Sequence, residues 1–154
     1  MRVFRIERQC YLDEMLQGKG AAASRGNRWN SQYTPMVYTS GSKSLAILEV
    51  LSHVDLFADL PSDRLLVEIE ISDSVNFKQL AIEQLPNNWN IYPPINLTRN
   101  LGDEFIRLAE FTVLQVPSSL VNGEFNYLIN PKLIQNNQIK IMQTESLKLE
   151  RWRR

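Results

Sequence analysis

The sequence predicts a single α+β domain, and three observations indicate this class. The chain has 154 residues, of which 44% are hydrophobic and 22% charged, close to the average for one globular domain. Short segments rich in β-branched residues are interspersed with amphipathic segments, without the regular strand–helix alternation of a doubly wound parallel sheet. No repeat, linker or low-complexity run divides the chain. We therefore place one domain over residues 1–154.

The first part of the chain predicts two strands and a capped helix. Residues 3–6 are short and β-favouring, which is typical of a strand. Residues 17–30 are rich in glycine and other small residues, so we expect a loop rather than a helix. Residues 35–39 form a brief buried strand. A serine in the following stretch, 40–42, can accept a hydrogen bond from a free backbone N–H and so cap a helix over residues 43–56.

A helical wheel divides this helix into two faces. One arc is apolar and is predicted to face the core; it contains Ile47, Val50, Leu51 and Val54. Glu49 lies on nearly the opposite side, and Leu45 and Leu56 project within roughly 40° of it. The face that carries Glu49 is therefore only partly polar.

The clearest strand covers residues 65–72, where apolar residues alternate with positions that are mostly polar. Its buried face is predicted to consist of Leu65, Val67, Ile69 and Ile71. The remaining elements are a helix over 77–85, a loop over 86–94, a helix capped by Thr98 and running through Arg107, a strand over 110–116 that ends at Pro117, a turn at 130–131 and a strand over 138–142.

Charge and cysteine content argue against several function classes. Seventeen Lys and Arg balance 17 Asp and Glu, which removes the usual electrostatic case for nucleic-acid binding. The basic cluster at residues 151–154 is interpreted as a solvated end. Cys10 is the sole cysteine and His53 the sole histidine, so neither an intrachain disulfide nor a zinc site of the usual kind is expected, and no metal. A lone thiol, a charged N-terminus and the lack of an 18-residue apolar run predict a cytoplasmic protein without a membrane partner.

Three polar residues in the first half of the chain are candidates for a binding site. Arg28, in the glycine-rich segment, can grip a planar anion through two parallel hydrogen bonds, although an exposed or helix-capping arginine fits the same pattern. Tyr38 can stack on a flat ligand or lie in the core. Glu49 can stabilise a developing cation or bind a sugar hydroxyl in a cleft, or it can simply be solvated.

Ser118 and His53 complete the set of candidates. Ser118 follows Pro117 at the carboxyl end of a predicted strand, a common place for ligand contacts. Without a histidine to act as its base, it is a poor candidate nucleophile. His53 is four residues after Glu49 and would share its face, but a surface or core-edge histidine is favoured over a catalytic one.

Taken in order, these residues resemble the RES domain family, named for an arginine, a glutamate and a serine. The blocks Gly26-Asn27-Arg28-Trp29-Asn30 and Val116-Pro117-Ser118 are specific as a set, at their separation from Glu49. The other matching stretches are residues 4–6, 18–22, 37–40, 45–53, 113–119 and 126–131. The resemblance therefore covers most of the chain.

The resemblance implies a fold similar to ADP-ribosyltransferases, with a mixed sheet and flanking helices. It also implies a toxin of a type II toxin–antitoxin pair that depletes NAD by cleaving the nicotinamide–ribose bond. The family's arginine, glutamate and serine fall on Arg28, Glu49 and Ser118, and Tyr38 matches an aromatic position beside the nicotinamide. Arg28 would hold a phosphate of NAD, Glu49 would stabilise the cationic transition state, and Ser118 would orient the nicotinamide or its ribose. NAD is then a substrate, and no cofactor is expected.

Several alternatives stay open at this point. The acceptor is water, giving a glycohydrolase, or inorganic phosphate, giving a phosphorylase; the rivals are ADP-ribosyl transfer to a protein and a non-catalytic NAD-binding interaction module. The expected partner is a cognate Xre-type antitoxin that carries the DNA-binding part, so this chain would not contact nucleic acid directly. Ser119 remains an alternative to Ser118, and a homo-oligomer is left open. Residues 146–151 lack the aspartate-containing strand with which family members often end.

Overall fold

The structure is a computed structural model that describes residues 1–53 and 62–148. In this part of the chain, seven strands form one mixed sheet in the order β4-β5-β6-β2-β1-β3-β7, with only β4 and β5 paired in parallel. The strands are β1 (Arg2–Arg8), β2 (Val37–Ser40), β3 (Arg64–Ile71), β4 (Phe77–Gln79), β5 (Val113–Pro117), β6 (Phe125–Ile129) and β7 (Ile139–Ser146). The α-helices are α1 (Lys19–Ala23), α2 (Lys43–Leu51) and α3 (Asn96–Leu108), and short 3-10 helices cover Gln9–Gln17, Ile82–Gln84 and Pro131–Leu133. The predicted α+β class is confirmed, as a mixed sheet with flanking helices.

The sheet buries apolar side chains on both of its faces. One face carries a single cluster, which includes Val3, Val37, Val67, Ile69, Val113 and Ile129 and packs against Met15. The opposite face carries two clusters. The larger one surrounds Trp29, Leu114, Val116 and Leu128, and the smaller one consists of Ile6, Ala46 and Leu66 beneath α2. Between these two clusters, the cross-strand neighbours Ser40 and Asn126 form a polar strip on the sheet surface.

The strand predictions are largely confirmed. Residues 3–6 and 65–72 fall in the neighbouring strands β1 and β3, and the strands expected at 35–39, 110–116 and 138–142 correspond to β2, β5 and β7. The predicted inner face of β3 is correct: Val67, Ile69 and Ile71 are buried and Leu65 packs against their cluster. Leu66 on the other face is buried as well, because α2 covers that face.

Helix α2 begins as predicted but turns a different face inward. Ser42 is its N-cap and accepts a hydrogen bond from the Leu45 N–H over 3.1 Å. The buried residues are Leu45 and Ala46, whereas Ile47 and Val50 are only half-buried against the smaller cluster. Because α2 packs against both β1 and β2, its contact surface extends to the side that carries Glu49. The helix ends at Leu51, so the predicted extension through Ser52 and His53 is wrong, and residues 54–56 lie outside the described residues, as does the basic cluster at 151–154.

Three other predictions are wrong. Residues 19–23 form α1 rather than a loop, because Ala21 is buried in the larger cluster and alanine favours helix. Residues 77–85 do not form one helix: Phe77–Gln79 pair in parallel with β5, a long-range contact that overrides the local pattern, and only Ile82–Gln84 form a short 3-10 helix. Thr98 does not cap α3, since Ile95 is the N-cap and the Thr98 hydroxyl donates to the Ile95 carbonyl within the first turn. The central strand β6 was not predicted.

Candidate functional site

Arg28 is held by the loop that precedes α3. Its Nη1 donates to the carbonyl oxygens of Trp89 at 2.7 Å and Ile91 at 3.0 Å, and its guanidinium lies 5.9 Å from the centre of the Trp89 ring. Burial lowers the pKa of Arg28, and the negative charge of Glu49 opposes that shift. Among the described residues, Nε and Nη2 make no hydrogen bond, so this edge of the guanidinium is available to an anion.

The segment that carries Arg28 is fixed to α3 from two sides. Arg99 Nε donates to the Asn27 carbonyl at 3.1 Å, and the Ser31 N–H donates to Asp103 Oδ1 at 2.8 Å. Asn30 is fully buried, and its Nδ2 donates to the carbonyl oxygens of Ala21, Ser31 and Thr34. Hydrogen bonds therefore hold the segment that carries Arg28 in a fixed position, and it is not an open loop.

Tyr38 lies on β2 with its ring against the larger apolar cluster. Its hydroxyl donates to Asn30 Oδ1 at 2.7 Å and accepts from the Trp29 N–H at 3.2 Å. Burial raises the pKa of Tyr38 well above its usual range. Because the hydroxyl proton is donated to Asn30, the hydroxyl is not a free donor, and any contact of Tyr38 with a ligand is left to its ring.

Glu49 is half-buried on α2 and points to the polar strip of the sheet. Asn126 on β6 donates from Nδ2 to Glu49 Oε1 over 2.6 Å, and Asn126 Oδ1 accepts from the Ser40 hydroxyl over 2.8 Å. In the described part of the chain, Oε2 of Glu49 has no hydrogen-bond partner. The carboxylate therefore faces the sheet surface, although the helical wheel predicts that the opposite arc of α2 faces inward. His53, beyond the end of α2, is exposed.

Ser118 follows β5 on the same face of the sheet as Val116 and Asn126. It is 6% exposed, and its Oγ accepts from the N–H groups of Leu120 and Val121. No acceptor for the Ser118 hydroxyl proton lies among the described residues. Ser119 is half-buried, and its side chain makes no hydrogen bond within the same residues.

The structure brings Arg28, Tyr38 and Glu49 within electrostatic reach of one another. The charge of Glu49 acts on both Arg28 and Tyr38, and that of Arg28 acts on Tyr38, yet Arg28 and Glu49 form no direct ion pair. Ser118 lies at the end of β5, two strands from Tyr38, and makes no hydrogen bond to the other three within the described residues. The four residues come from a loop, a strand, a helix and a strand end, all directed to one face of the sheet.

Three residues of the site were missed as functional candidates: Trp89, Asn30 and Asn126. Trp89 accepts a hydrogen bond from Arg28, Asn30 accepts one from Tyr38, and Asn126 donates one to Glu49. These partners are between eight and 77 residues apart in the sequence. Asn30 and Asn126 lie inside the stretches that resemble the family, so the sequence offered a reason to consider them. Trp89 lies in a loop outside those stretches, and no motif points to it.

Two cavities lie away from this site. One, of about 290 Å³, is lined by polar residues that include Asn76, Glu110 and Thr112, and the other, of about 350 Å³, by Leu16, Pro35 and Ile134 among others. Within residues 1–53 and 62–148, no cluster of three or more His, Cys, Asp or Glu side chains has the arrangement of a metal site. None of the helices in these stretches has the length and apolar character needed to cross a membrane.

Comparison with known proteins assigns the family. The profile of the RES domain family matches residues 2–150, almost the whole chain. The chain belongs to the RES domain family. The resemblance found in the motif blocks is thereby confirmed.

This RES domain is similar to proteins named as toxins. It is 36% identical over 131 residues to the toxin Res of Photorhabdus laumondii, covering 85% of this chain and 82% of that protein. It is 37% identical over 132 residues to the toxin Res of Yersinia enterocolitica, covering 86% and 85%. A Prs ADP-ribosylating toxin of Sphingobium sp. is 35% identical over 123 residues, covering 79% and 75%.

The fold of this RES domain is also found in a solved complex. The crystal structure of the M. tuberculosis MbcT-MbcA toxin–antitoxin complex contains a chain that matches with a TM-score of 0.75. The match covers 98% of this chain and 86% of that chain at 16% sequence identity. The likeness shows a shared fold. The roles of Arg28, Tyr38, Glu49 and Ser118 stay predictions.

Proposed function

We propose that this RES domain is the toxin of a toxin–antitoxin pair and that it depletes NAD by cleaving the nicotinamide–ribose bond. The observation that carries the proposal is the relation of Arg28 to Glu49. A half-buried carboxylate held by Asn126 and a half-buried cation held by the Trp89 loop influence each other's charge without forming a direct ion pair. Such a pair can bind a ligand that carries both phosphate and a developing positive charge, and NAD is one.

Arg28 is suited to bind the pyrophosphate of NAD. Its Nη1 is already fixed by the carbonyl oxygens of Trp89 and Ile91, so little side-chain entropy is lost when a ligand binds. The opposite edge, with Nε and Nη2, can donate two parallel hydrogen bonds to phosphate oxygens. Partial burial strengthens this interaction, because water screens the charges less.

Glu49 is suited to stabilise the transition state. Nicotinamide is a cationic leaving group in NAD, so its departure needs no general acid and leaves oxocarbenium character on the ribose. A carboxylate fixed beside the ribose stabilises that charge and accepts a hydrogen bond from a ribose hydroxyl. Oε1 is held by Asn126, and Oε2 is the oxygen available for this contact.

Tyr38 and Ser118 complete the proposed site around the nicotinamide. The Tyr38 ring provides an aromatic surface for the flat nicotinamide, while its hydroxyl stays bound to Asn30. The Ser118 hydroxyl proton can be donated to the nicotinamide amide or to its ribose, since Oγ already accepts two backbone N–H groups. Both residues therefore orient the substrate rather than react with it.

The acceptor of the ADP-ribosyl group is water or inorganic phosphate. A second candidate is ADP-ribosyl transfer to a protein, which the name of the Sphingobium relative favours. The third hypothesis is a non-catalytic module, which predicts that the chain binds NAD without cleaving it. We place the reaction in the cytoplasm, since the sole cysteine, Cys10, is a free thiol, as is usual in a reducing compartment.

An antitoxin of the Xre type is the partner that we propose. Large apolar side chains lie exposed in segments that carry or support the site: Leu48 beside Glu49, Ile91 and Tyr92 in the loop that holds Arg28, and Leu120 after Ser118. Such exposed apolar side chains around a polar site favour a protein partner that covers the site. A chain with this fold occurs in the M. tuberculosis MbcT-MbcA toxin–antitoxin complex, which supports an antitoxin as the partner.

The test is incubation of the purified chain with NAD, with and without inorganic phosphate, while nicotinamide release and the ribosyl product are measured. We expect release by the wild-type protein, with free ADP-ribose indicating water and a phosphorylated product indicating phosphate as acceptor. Arg28→Ala and Glu49→Ala should lose release and toxicity while staying folded. Arg107→Ala removes an exposed arginine on α3 and serves as the control that keeps activity.

Two outcomes contradict the proposal. A folded wild-type protein that binds NAD without releasing nicotinamide would favour the binding module, and labelled protein in place of free product would favour protein ADP-ribosylation. Full NAD consumption by folded Glu49→Ala would remove Glu49 from the mechanism.

A further inference from the structure

A directed chain of hydrogen bonds leads across the sheet to Glu49. The Ser40 hydroxyl donates to Asn126 Oδ1 at 2.8 Å, and Asn126 Nδ2 donates to Glu49 Oε1 at 2.6 Å. Ser40 and Asn126 are directly paired residues on the neighbouring strands β2 and β6. The chain therefore joins two central strands to a carboxylate on α2.

The partners of Asn126 fix the orientation of its amide. A carboxylate accepts hydrogen bonds and does not donate them when ionised, so the NH2 group must face Glu49 and the carbonyl must face a donor. Ser40 is that donor, and it is buried at 4% exposure, where a change of partner is costly. Both ends of the amide are thus satisfied in only one orientation.

The position of Asn126 is also more rigidly fixed than that of Glu49, the residue it contacts. It lies in the middle of the seven-stranded sheet, paired with Ser40 on one side and Val116 on the other. Glu49 reaches the sheet from a helix through a side chain with three rotatable bonds. A contact to Oε1 restricts those rotations and leaves Oε2 without a hydrogen-bond partner among the described residues.

We propose that Asn126 is a positioning residue that holds Glu49 in its working orientation, with Ser40 fixing the Asn126 amide. This inference rests on the proposed function, because it assigns Asn126 a role in the same reaction. Asn126 acts through Glu49 and does not itself contact the ribose. Its loss should lower kcat, since a misplaced carboxylate stabilises the transition state less, and should affect KM little, since Arg28 and Tyr38 bind the substrate independently.

The experiment measures kcat and KM for nicotinamide release, together with thermal melting, in four variants. Asn126→Asp preserves the size of the side chain but replaces the NH2 donor. Ser40→Ala removes the hydroxyl that donates to Asn126 Oδ1 while leaving Asn126 in place. We expect kcat to fall roughly 10- to 100-fold in Asn126→Asp and by a smaller factor in Ser40→Ala, with KM within about threefold of wild type. Ser40→Thr keeps a hydroxyl donor and should restore most of the activity lost in Ser40→Ala.

Thr39→Val is the matched control. Thr39 is adjacent to Ser40, is also buried, and its hydroxyl donates to the Tyr127 carbonyl across the same two strands but on the opposite face. It should lower the melting temperature without lowering kcat. If Thr39→Val lowers kcat as much as Asn126→Asp, the effect is structural and the inference is overturned.

The remaining outcomes separate this inference from the proposed function. Wild-type release of nicotinamide together with unchanged kcat in folded Asn126→Asp and Ser40→Ala overturns the role of Asn126 alone. A folded wild-type protein without release overturns the proposed function and the role of Asn126 with it. If Asn126→Asp does not fold, the Ser40→Ala and Ser40→Thr pair decides.

Discussion

Gly102 of α3 lies directly against the backbone of Trp29. A Cβ placed on Gly102 would overlap the Trp29 carbonyl oxygen and lie 2.7 Å from its carbonyl carbon. Both atoms belong to the backbone, so they cannot swing aside as a flexible side chain would. This close approach, together with Arg99 and Asp103, sets the distance between α3 and the segment that presents Arg28.

Gly102→Ala should therefore affect both stability and substrate binding. We expect the free energy of unfolding to fall by about 1–3 kcal/mol, the usual cost of overpacking a close contact. Because the shift must be taken up by the Trp29 backbone, KM for NAD should rise in the folded variant. Chemical denaturation and steady-state kinetics measure the two effects.

Gly20→Ala is the control for that prediction. Gly20 lies in α1, and an added Cβ would meet no atom within 4 Å. The substitution should be neutral or stabilise the protein by up to about 1 kcal/mol, as expected of alanine in a helix. Equal stability of Gly102→Ala and Gly20→Ala would show that the contact with Trp29 is not restrictive.

The Tyr38 hydroxyl should contribute to stability in a pH-dependent way. Tyr38→Phe leaves the buried Trp29 N–H without its acceptor, so we expect a loss of about 1–3 kcal/mol at neutral pH. Burial raises the pKa of Tyr38 in the folded state above the unfolded value of 10.0. The unfolded chain therefore loses this proton first as pH rises, and the stability contributed by Tyr38 is full below about pH 10 and declines above it.

Denaturant unfolding of wild type and Tyr38→Phe from pH 7 to pH 11 measures this contribution. The difference in unfolding free energy between the two proteins should shrink above about pH 10. Tyr127, whose pKa is also raised by burial, is common to both proteins and cancels in the difference. A difference that stays constant across this range would contradict the buried position of the hydroxyl.

Substitution of the two adjacent serines should resolve which one is the family serine. Ser118→Ala removes an acceptor of two backbone N–H groups and should cost about 1 kcal/mol of stability as well as lowering NAD cleavage. Ser119→Ala removes a hydroxyl with no hydrogen bond in the described structure and should change neither property. Thermal melting and nicotinamide release check both variants, and the opposite ranking would assign the role to Ser119.

Local patterns were sufficient for several parts of this protein. The alternation in residues 65–72 predicted β3 and its inner face, since successive side chains of a strand point to opposite faces and this pattern is visible in adjacent residues. The serine cap of α2 was predicted for the same reason, because the cap and the N–H that it accepts from are three residues apart. Residue type and local position indicated the candidates Arg28, Glu49 and Ser118, and their order within the motif blocks indicated the family.

Long-range contacts could not be predicted in this way. The 77–79 segment is a strand because β5 lies beside it, and no property of those three residues reveals that neighbour. The inward face of α2 depends on where the helix meets β1 and β2, so a helical wheel alone did not single out Leu45 and Ala46. The commitment of the Tyr38 hydroxyl to Asn30 likewise depends on how the Arg28 segment folds back over β2.

The contrast is clearest at Glu49. Its place on a helix and the partly apolar character of its face are encoded within one or two helical turns of sequence. Its hydrogen bond to Asn126, 77 residues away, exists because β6 pairs with β2 beneath α2. Local sequence thus determines which chemical groups are present and in which elements, because propensities and periodicities act over a few residues. The orientation of those groups toward one another is determined by the packing of the sheet, because it depends on contacts between segments far apart in the chain.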